Sequence, residues 1–391
     1  MRDNQILSAT EAAAVLELRH AMHRRPELSN QETATQQLIL SILDRFGLRE
    51  TKTFHKTGVY VDIVGNAEGK GKVVAVRGDI DALPIHEERD DLPFRSEVPG
   101  LMHACGHDVH ASVALGTALA FHRLRDNFAG RLRVFFHPAE EAEPVGGRSV
   151  RQEALLDGID HSVGFHVTPD LPTGTYAARP GAATKSADQF TVTFTGTSSH
   201  GAMPYRGVDA ISVAAAFINE VQKLVSREVS TEDGSVVSIG TIRGGEAANI
   251  ICPLVVMEGT IRTKRTETRA MLCRRVREIA EGIAVLHRAS AVCHLTEGEP
   301  PVINDADMAA RFQSLVRDTL GAESLHEGLP AEGSDDFGYY SETTPSLYFW
   351  FGTGENGKRS GLHTPTFAVS DSVVVPTTEL AVRYCFDLIS R

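Results

Sequence analysis

The sequence predicts an α/β domain that is interrupted by a smaller α+β module. Strand-like and helix-like segments alternate through the first half of the 391-residue chain. The pattern changes near Lys185, and the alternation returns after Pro300. Alternating strands and helices are typical of a sheet with substantial parallel content, whereas strands that follow one another favour an antiparallel module.

The elements of the outer domain are predicted from their apolar segments. An amphipathic helix is expected over 1–18, and a second helix over 34–43, before Gly47. A third helix is expected over 111–124, where small apolar residues favour close packing on a sheet. Short apolar segments predict strands between these helices, at 59–64, 72–76, 131–136 and 162–167.

The inserted module is predicted to cover residues 185–297, which leaves 1–184 and 298–391 as the two parts of the outer domain. Its order of strand, helix, strand, strand and helix favours an antiparallel sheet with helices on one face. The strands are expected at 190–195, 236–242 and 255–261, and the helices at 209–225 and 267–286. A buried strand at 346–351 and a helix at 373–389 complete the outer domain.

Composition excludes several classes of function. The chain has 39 basic and 51 acidic residues, so its formal net charge is −12, which is poorly suited to binding a nucleic-acid backbone. No apolar run reaches the roughly 20 residues that span a bilayer, and no signal peptide is expected. The five cysteines are too scattered for a disulfide framework. We therefore expect a soluble cytoplasmic protein that binds neither nucleic acid nor membranes.

The densest group of potential metal ligands lies in the segment MHACGHDVH, at 102–110. Its thiolate, imidazole and carboxylate donors, which suit zinc and similar divalent ions, are His103, Cys105, His107, Asp108 and His110. A turn with solvated histidines is the simpler alternative, but it explains only one or two of these residues. A zinc finger is disfavoured, because no second Cys-x-x-Cys or His-x-x-x-His pair is present.

Two adjacent carboxylates, Glu140 and Glu141, follow the predicted strand at 131–136 in the segment FHPAEE. Adjacent glutamates are usually surface charge, but α/β proteins place their ligands at the carboxyl ends of central strands. Because neighbouring residues point in different directions, one glutamate could bind a metal ion while the other faces a bound water.

His166 and His363 also follow strand-like segments, in GFHVTP and GLHTP. A single histidine on a strand is more often structural. Together with Cys105, His107 and Glu141, however, they give five potential ligands on one predicted sheet edge. Because a tetrahedral ion with an open position needs fewer, the count favours a site for two metal ions.

Other residues could support chemistry at such a site. Asp79 and Asp81 in RGDIDALP could fix the tautomer of a ligand histidine, or they could be solvated aspartates in a turn. In the inserted module, His200 could stabilise an oxyanion if its loop reaches the metal ions. Arg262 has the side chain best suited to a bidentate clamp on a carboxylate.

Eight tracts of the chain resemble, in the same order, those of the metal-dependent amidohydrolase branch of the aminoacylase/carboxypeptidase metallopeptidases. Hippurate hydrolase and indole-acetyl-amino-acid hydrolases belong to this branch. The tracts span residues 23–365 and read HRRPELSNQE, RGDIDALP, MHACGHDVH, HPAEE, GFHVTP, GTSSHGAMP, GSDDF and GLHTP. The resemblance implies an α/β catalytic domain with an inserted smaller α+β domain that serves as lid and dimerisation domain. It also implies metal-dependent hydrolysis of the amide bond of N-acyl amino acids or related small amides.

The resemblance further implies a role for each site residue. The expected ligands of two divalent ions, commonly zinc, manganese, cobalt or nickel, are Cys105, His107, Glu141, His166 and His363. Cys105 would bridge the ions, and Glu140 would be the general base. His200 would stabilise the tetrahedral intermediate, often from a neighbouring subunit, while Asn249 and Arg262 would hold the substrate carboxylate. A homodimer or homotetramer that acts on a small-molecule amide is therefore expected.

The sequence departs from the pattern of this family at two points. Asp335 in GSDDF stands where the family usually has glutamate, and the segment AEPVGGRSV after Glu141 lacks the usual glycine run. The shorter side chain of Asp335 could alter substrate contacts near Gly333 and Ser334, and the second departure leaves the acyl specificity open. Two alternatives also stay open: a dipeptidase or carboxypeptidase on the same scaffold, and a catalytically silent protein that binds amino-acid conjugates. The presence of Glu140 and of all five expected ligands argues against the silent protein.

Overall fold

A computed structural model describes residues 6–354 and 361–390 of the chain. The chain forms two compact units. The first consists of Met1–Ala183, Ile303–Pro330 and Asp336–Arg391, and the second of Thr184–Val302 with Ala331–Asp335. The insertion predicted at 185–297 lies inside the second unit, which is slightly longer and takes in a short later segment.

Helices and strands alternate in the first part of the first unit. In chain order they are α1 (Ala9–Arg24), α2 (Thr33–Arg45), β1 (Thr51–Phe54), β2 (Gly58–Val64), β3 (Val73–Asp79), α3 (His107–Arg123), β4 (Arg131–His137), α4 (Gly146–Gln152), β5 (His161–Pro172), β6 (Tyr176–Ala177) and β7 (Gly181–Ala182). The helix expected over 1–18 is shifted, and residues 1–5 lie outside the described part of the chain. Ser8 starts α1 as its N-cap, because the Ser8 hydroxyl accepts from the Glu11 N–H and the Glu11 carboxylate accepts from the Ser8 N–H.

The second unit contains an antiparallel sheet with two long helices. Its elements are β8 (Asp188–Thr195), α5 (Ala210–Lys223), β9 (Val236–Gly244), β10 (Leu254–Arg262), α6 (Thr266–Leu286) and β11 (Ser290–Thr296). The strand order is β11–β8–β10–β9, and Met257 of β10 lies opposite Val192 and Ile242. Apolar side chains of α5, α6 and the sheet form a separate core. Strand β11 was not predicted, because its residues alternate between half-buried and exposed without a continuous apolar run.

The remainder of the first unit completes an eight-stranded mixed sheet. Its elements are β12 (Ile303–Asn304), α7 (Ala306–Leu320), β13 (Leu325–His326), α8 (Gly338–Thr343), β14 (Ser346–Gly354) and α9 (Val374–Ile389). The strand order is β1–β2–β4–β3–β5–β14–β6–β13. The four central strands, β4, β3, β5 and β14, run parallel to one another, so their carboxyl ends meet at one edge.

Helix α3 packs against this sheet and is buried along almost its whole length, from His107 to Phe121. It begins four residues before the start predicted from the apolar pattern, at His107. The cause is that polar residues of its first turn are buried, so they do not mark a solvent face. Within residues 6–354 and 361–390, no helix is long and apolar enough to cross a membrane. All five cysteines are free thiols.

Candidate metal centre and active site

Several buried polar residues of the first unit lie at the carboxyl edge of the central strands. Strand β3 ends at Asp79, directly opposite His137 at the end of β4. His166 lies in β5, and His107 is the first residue of α3. Parallel strands place all of these residues at the same edge of the sheet, where α/β proteins bind their ligands.

The five predicted metal ligands come together at this edge. The Cys105 Sγ atom lies 3.3 Å from Nε2 of His166 and 3.3 Å from Nε2 of His363. Oε1 of Glu141 lies 3.2 Å from Nε2 of His363 and 3.8 Å from Nε2 of His107. The Cys105 thiol therefore lies between donor atoms of residues that are 61 and 258 positions away from it in the chain.

These donors form two overlapping groups that share Cys105. One group consists of Cys105, His107 and His166, and the other of Cys105, Glu141 and His363. Within each group the donor atoms lie within 4.8 Å of one another. The first group is buried, whereas half of the His363 side chain is exposed, so the second group opens towards solvent.

The donor set fits a pair of divalent ions. Thiolate, imidazole and carboxylate are the ligands that zinc and related ions prefer. Nε2 of His107 and Oε1 of Glu141 are buried, and neither makes a well-aligned hydrogen bond to a described residue, although Oε1 lies 3.2 Å from Nε2 of His363. A buried polar atom without a partner is costly, so atoms that converge in this way are suited to a cation.

Hydrogen bonds made by Nδ1 orient the imidazole rings of His107 and His166 so that their Nε2 atoms face the other donors. Nδ1 of His166 donates to the Val167 carbonyl at 2.6 Å, and Nδ1 of His107 donates to Oδ1 of Asp81 at 3.0 Å. Asp81 also accepts from the Glu141 N–H and the Ser29 hydroxyl. Burial alone would raise the pKa of Asp81, but His107 and these donors lower it to about 2. Asp81 is therefore an ionised carboxylate that orients His107.

Without a cation, two of the donors hold protons. Burial and the carboxylates of Glu141 and Glu140 hold the pKa of the Cys105 thiol well above its ordinary value. Burial lowers the pKa of His107, but the charges of Asp79 and Asp81 outweigh it and raise that pKa to about 10. In contrast, burial and neighbouring histidines hold the pKa of His166 well below its ordinary value. A cation held by these donors would therefore displace protons from Cys105 and His107 but not from His166.

Glu140 lies beside the donor groups, and a carboxylate oxygen of Glu140 falls within 4.8 Å of donor atoms of His107 and Glu141. Its side chain is half-buried. A carboxylate in this place can exchange protons with a molecule held at the donors, while Glu141 acts as a donor itself.

A buried polar network extends behind the site, and most of it was not predicted. Arg77, which is fully buried, donates to Asp79 and, at 2.7 Å, to Oδ1 of Asp336. The other oxygen of Asp336 accepts from Nε2 of His137 and from the Gly147 N–H, both at 2.7 Å. A side chain on Gly147 would collide with the Asp336 backbone, so glycine is required there. An arginine inside an apolar strand segment, KVVAVRGD, was the sequence signal for this network.

Asp79 connects this network to His110, which lies beside the proposed donors. Its Oδ1 accepts from Nδ1 of His110 at 2.6 Å, and Nε2 of His110 accepts from the Val167 N–H at 2.9 Å. Burial would raise the pKa of Asp79, but the Arg77 guanidinium and the neighbouring histidines hold it well below its ordinary value. His110 is one of the potential ligands in the segment at 102–110, and the structure gives both of its ring nitrogens protein partners.

Three further predicted residues lie in the second unit. His200 and Asn249 are exposed neighbours, because His200 forms a β-bridge with Ile250 and the Gly201 N–H donates to the Asn249 carbonyl at 2.8 Å. Arg262 ends β10, whereas Asn249 precedes the start of that nine-residue strand. The strand spans roughly 27 Å at about 3.4 Å per residue. The second unit therefore keeps His200 with Asn249 and separates both from Arg262.

Comparison with known proteins identifies the family. Residues 75–387 match the model of peptidase family M20/M25/M40. The chain is 62% identical to the uncharacterized hydrolase y4tI of Sinorhizobium fredii, over 99% of this chain and 96% of that protein. It is 35% identical to the N-acetyl-L-cysteine deacetylase of Bacillus subtilis, over 95% of this chain and 87% of that protein.

A solved structure of similar fold is the YXEP protein of Bacillus subtilis, described as a dinuclear metal binding peptidase from the M20 family. It has a TM-score of 0.83 and 32% identity, and the match covers 98% of this chain and 99% of that chain. The chain belongs to the peptidase family M20/M25/M40 and is a hydrolase. The family predicted from the eight tracts is confirmed.

Proposed function

We propose that the chain hydrolyses the amide bond of an N-acyl amino acid or a related small amide at a centre of two divalent ions. The observation that carries this proposal is the pair of donor groups that share Cys105, with the Glu140 carboxylate beside them. The deacetylase relative, which is 35% identical, supports an N-acyl amino acid as the substrate class.

The proposed ligands are Cys105, His107, Glu141, His166 and His363. When bound, the ions would supply the Lewis acidity that amide hydrolysis needs, for the amide carbonyl and for a water molecule near neutral pH. Asp81 keeps His107 in the tautomer that presents Nε2, and the Val167 carbonyl does the same for His166. The metal could be zinc, manganese, cobalt or nickel, because geometry and availability decide between them.

Glu140 is the proposed general base and general acid. It takes a proton from the attacking water as the water oxygen bonds to the acyl carbon. It then gives that proton to the leaving nitrogen as the carbon–nitrogen bond breaks, so the products are a carboxylate and an amine. Glu141 is unsuited to this role, because its Oε1 faces His363 and His107 among the donors.

The Glu140→Gln variant tests this assignment. It should lower kcat by about 10²- to 10⁴-fold, because an amide cannot take the proton. The metal content should not change, since the ligands are intact. Near-full turnover of metal-loaded Glu140→Gln would contradict the assignment.

The second unit is proposed to act as the lid and dimerisation domain, on the strength of the resemblance. His200 would stabilise the developing oxyanion, and Asn249 and Arg262 would bind the substrate carboxylate. The separation of Arg262 from the other two favours a division of labour between two copies of the chain. His200 and Asn249 would then serve the site of one copy, and Arg262 the site of the other.

Mixing two inactive variants tests this division. In a homodimer of this kind, a His200→Ala chain and an Arg262→Ala chain together form one complete site and one doubly defective site. Random exchange at equal amounts should then restore about a quarter of wild-type activity, by the statistics of pairing in a twofold-symmetric dimer. No recovery after demonstrated exchange would place all three residues at the site of a single copy.

A dipeptidase or carboxypeptidase is the second candidate, because the YXEP protein is described as a peptidase. Release of amine from N-acetyl, N-benzoyl and indole-acetyl amino acids, with Zn²⁺, Mn²⁺, Co²⁺ or Ni²⁺ added, separates the two. Turnover of blocked amines supports the acyl hydrolase, whereas a requirement for a free α-amine supports the dipeptidase. Two bound metal ions without any turnover would instead support a conjugate-binding protein.

A further inference from the structure

The turn that carries Glu140 and Glu141 has an unfavourable backbone. It follows β4 directly, and Ala139 within it has a φ of 53°. This left-handed conformation is unfavourable for a residue with a side chain. Contacts with the rest of the first unit must therefore hold the turn in place.

Two buried carboxylates bind the backbone of this turn on either side of Glu140. Oε1 of Glu32 accepts from the Ala139 N–H at 2.8 Å, and Oδ2 of Asp81 accepts from the Glu141 N–H at 3.0 Å. Glu32 is 0% exposed and Asp81 is 1% exposed. Hydrogen bonds to charged acceptors in such surroundings are stronger than those between neutral groups.

Glu32 is itself fixed in place. Its other carboxylate oxygen, Oε2, accepts from the Thr57 hydroxyl at 2.7 Å, and Thr57 is buried. Glu32 also lies immediately before α2, so its backbone is anchored by the start of a helix. A rigid carboxylate of this kind can define where a bonded N–H group lies.

We propose that Glu32 is a positioning residue for Glu140, and this proposal rests on the proposed function. Glu32 fixes the peptide group between Pro138 and Ala139, one residue before Glu140, and thereby holds the N-terminal side of the turn from which the Glu140 side chain leaves. Asp81 fixes the peptide group between Glu140 and the proposed ligand Glu141 through a separate contact, which remains when Glu32 is removed. Loss of Glu32 therefore displaces the general base more than the ligand.

The kinetic test compares Glu32→Ala with Glu32→Gln. Glu32→Ala should lower kcat about 10- to 100-fold, because small displacements of a reacting group have effects of this size. Its KM and its metal content should stay within about twofold of the wild-type values. Glu32→Gln should recover most of kcat, since its amide oxygen can accept from the Ala139 N–H while its amide group donates to Thr57.

Glu11→Ala is the matched control. Glu11 is another buried carboxylate of the first unit, 3% exposed, and it binds the Ser8 N–H and Arg123 in α1 and α3. Its removal should reduce stability without changing kcat. Equal kcat values for Glu32→Ala and Glu11→Ala would overturn the proposal, and so would loss of bound metal from Glu32→Ala.

Hydrogen exchange tests the proposal without using activity. In Glu32→Ala the Ala139 amide should exchange at least tenfold faster than in the wild type, while the Glu141 amide keeps its protection through Asp81. Unchanged protection at Ala139 would overturn the proposal. Absence of turnover in the wild-type protein would count against the proposed function and would leave this measurement valid.

Discussion

Replacement of Arg77 by methionine should destabilise the first unit strongly. The guanidinium is fully buried between the carboxylates of Asp79 and Asp336, which are also buried. Methionine keeps most of the apolar volume but leaves two buried negative charges without their shared cation. Removal of one partner of a buried ion pair costs about 3–5 kcal/mol. We expect a loss within this range, because each aspartate keeps a bond to a histidine.

Arg133→Met supplies a matched control in the same sheet. Arg133 of β4 makes a two-pronged ion pair with Asp62 at 2.8 and 2.7 Å, but the Asp62 side chain is 23% exposed. Water can solvate Asp62 after the change, so the expected loss is only about 1–2 kcal/mol. The difference between the variants isolates the cost of leaving charge in a dry interior.

Unfolding in guanidinium chloride, monitored by tryptophan fluorescence, measures the loss of unfolding free energy in both variants. The only tryptophan of the chain, Trp350, lies in β14 of the first unit, so its signal reports that unit. Addition of Asp336→Asn to Arg77→Met should restore at least about 1 kcal/mol, because it removes one of the two stranded charges. If Arg77→Met costs no more than Arg133→Met, the assigned role of the buried network is wrong.

Two further predictions concern protons. Metal binding should release protons from Cys105, whose pKa lies well above its ordinary value, and from His107, whose pKa is about 10. Affinity should therefore rise by up to about tenfold per pH unit for each proton released, and calorimetry in buffers of different ionisation enthalpy counts these protons. For His23, burial lowers the pKa, but Asp108 and Glu87 raise it to about 9. Because the pKa in the unfolded chain is near 6.5, the protonated form of His23 stabilises the folded state. This contribution to the free energy of unfolding is complete below about pH 6.5 and is lost as the pH rises through about 9. The stabilisation lost between these pH values is on the order of 3 kcal/mol. In His23→Gln, this contribution should be missing from the pH dependence of the free energy of unfolding in urea. An unchanged pH dependence in that variant would refute the assignment.

The donor residues could be located from sequence because each follows a local signal. Glu140 and Glu141 come after an apolar strand, and His166 lies in another. The rule that parallel strands end at a common edge then places such residues together without knowledge of their partners. The dense cluster around Cys105 and His107 needs only composition to be noticed.

The supporting contacts could not be predicted in the same way. Arg77 and Asp336 are 259 positions apart, and no local pattern indicates that one faces the other. The Glu32 contact with the Ala139 N–H involves a backbone group, which every residue has, so the sequence carries no mark of it. The early start of α3 was missed for a related reason, because buried polar residues imitate a turn when their partners are unknown.

This difference between donors and supports follows from the chemistry of the site. A donor needs only the right atom at the right edge, and few residue types provide one. A supporting residue must lie at a particular distance from a particular atom. A carboxylate such as Asp81, Glu32 or Asp79 can meet this requirement from several places in a fold, however, so the sequence does not reveal which one does. Three buried acids serve here as acceptors for a histidine ring or for the backbone of the turn. Each fixes the direction of a neighbouring group, and the two that contact histidine rings, Asp79 and Asp81, also place negative charge beside the donors. Precision at the proposed metal centre and affinity for its ions therefore have a common physical source in Asp79 and Asp81, and a change to either should alter both, whereas a change to Glu32 should alter the position of Glu140 without loss of metal.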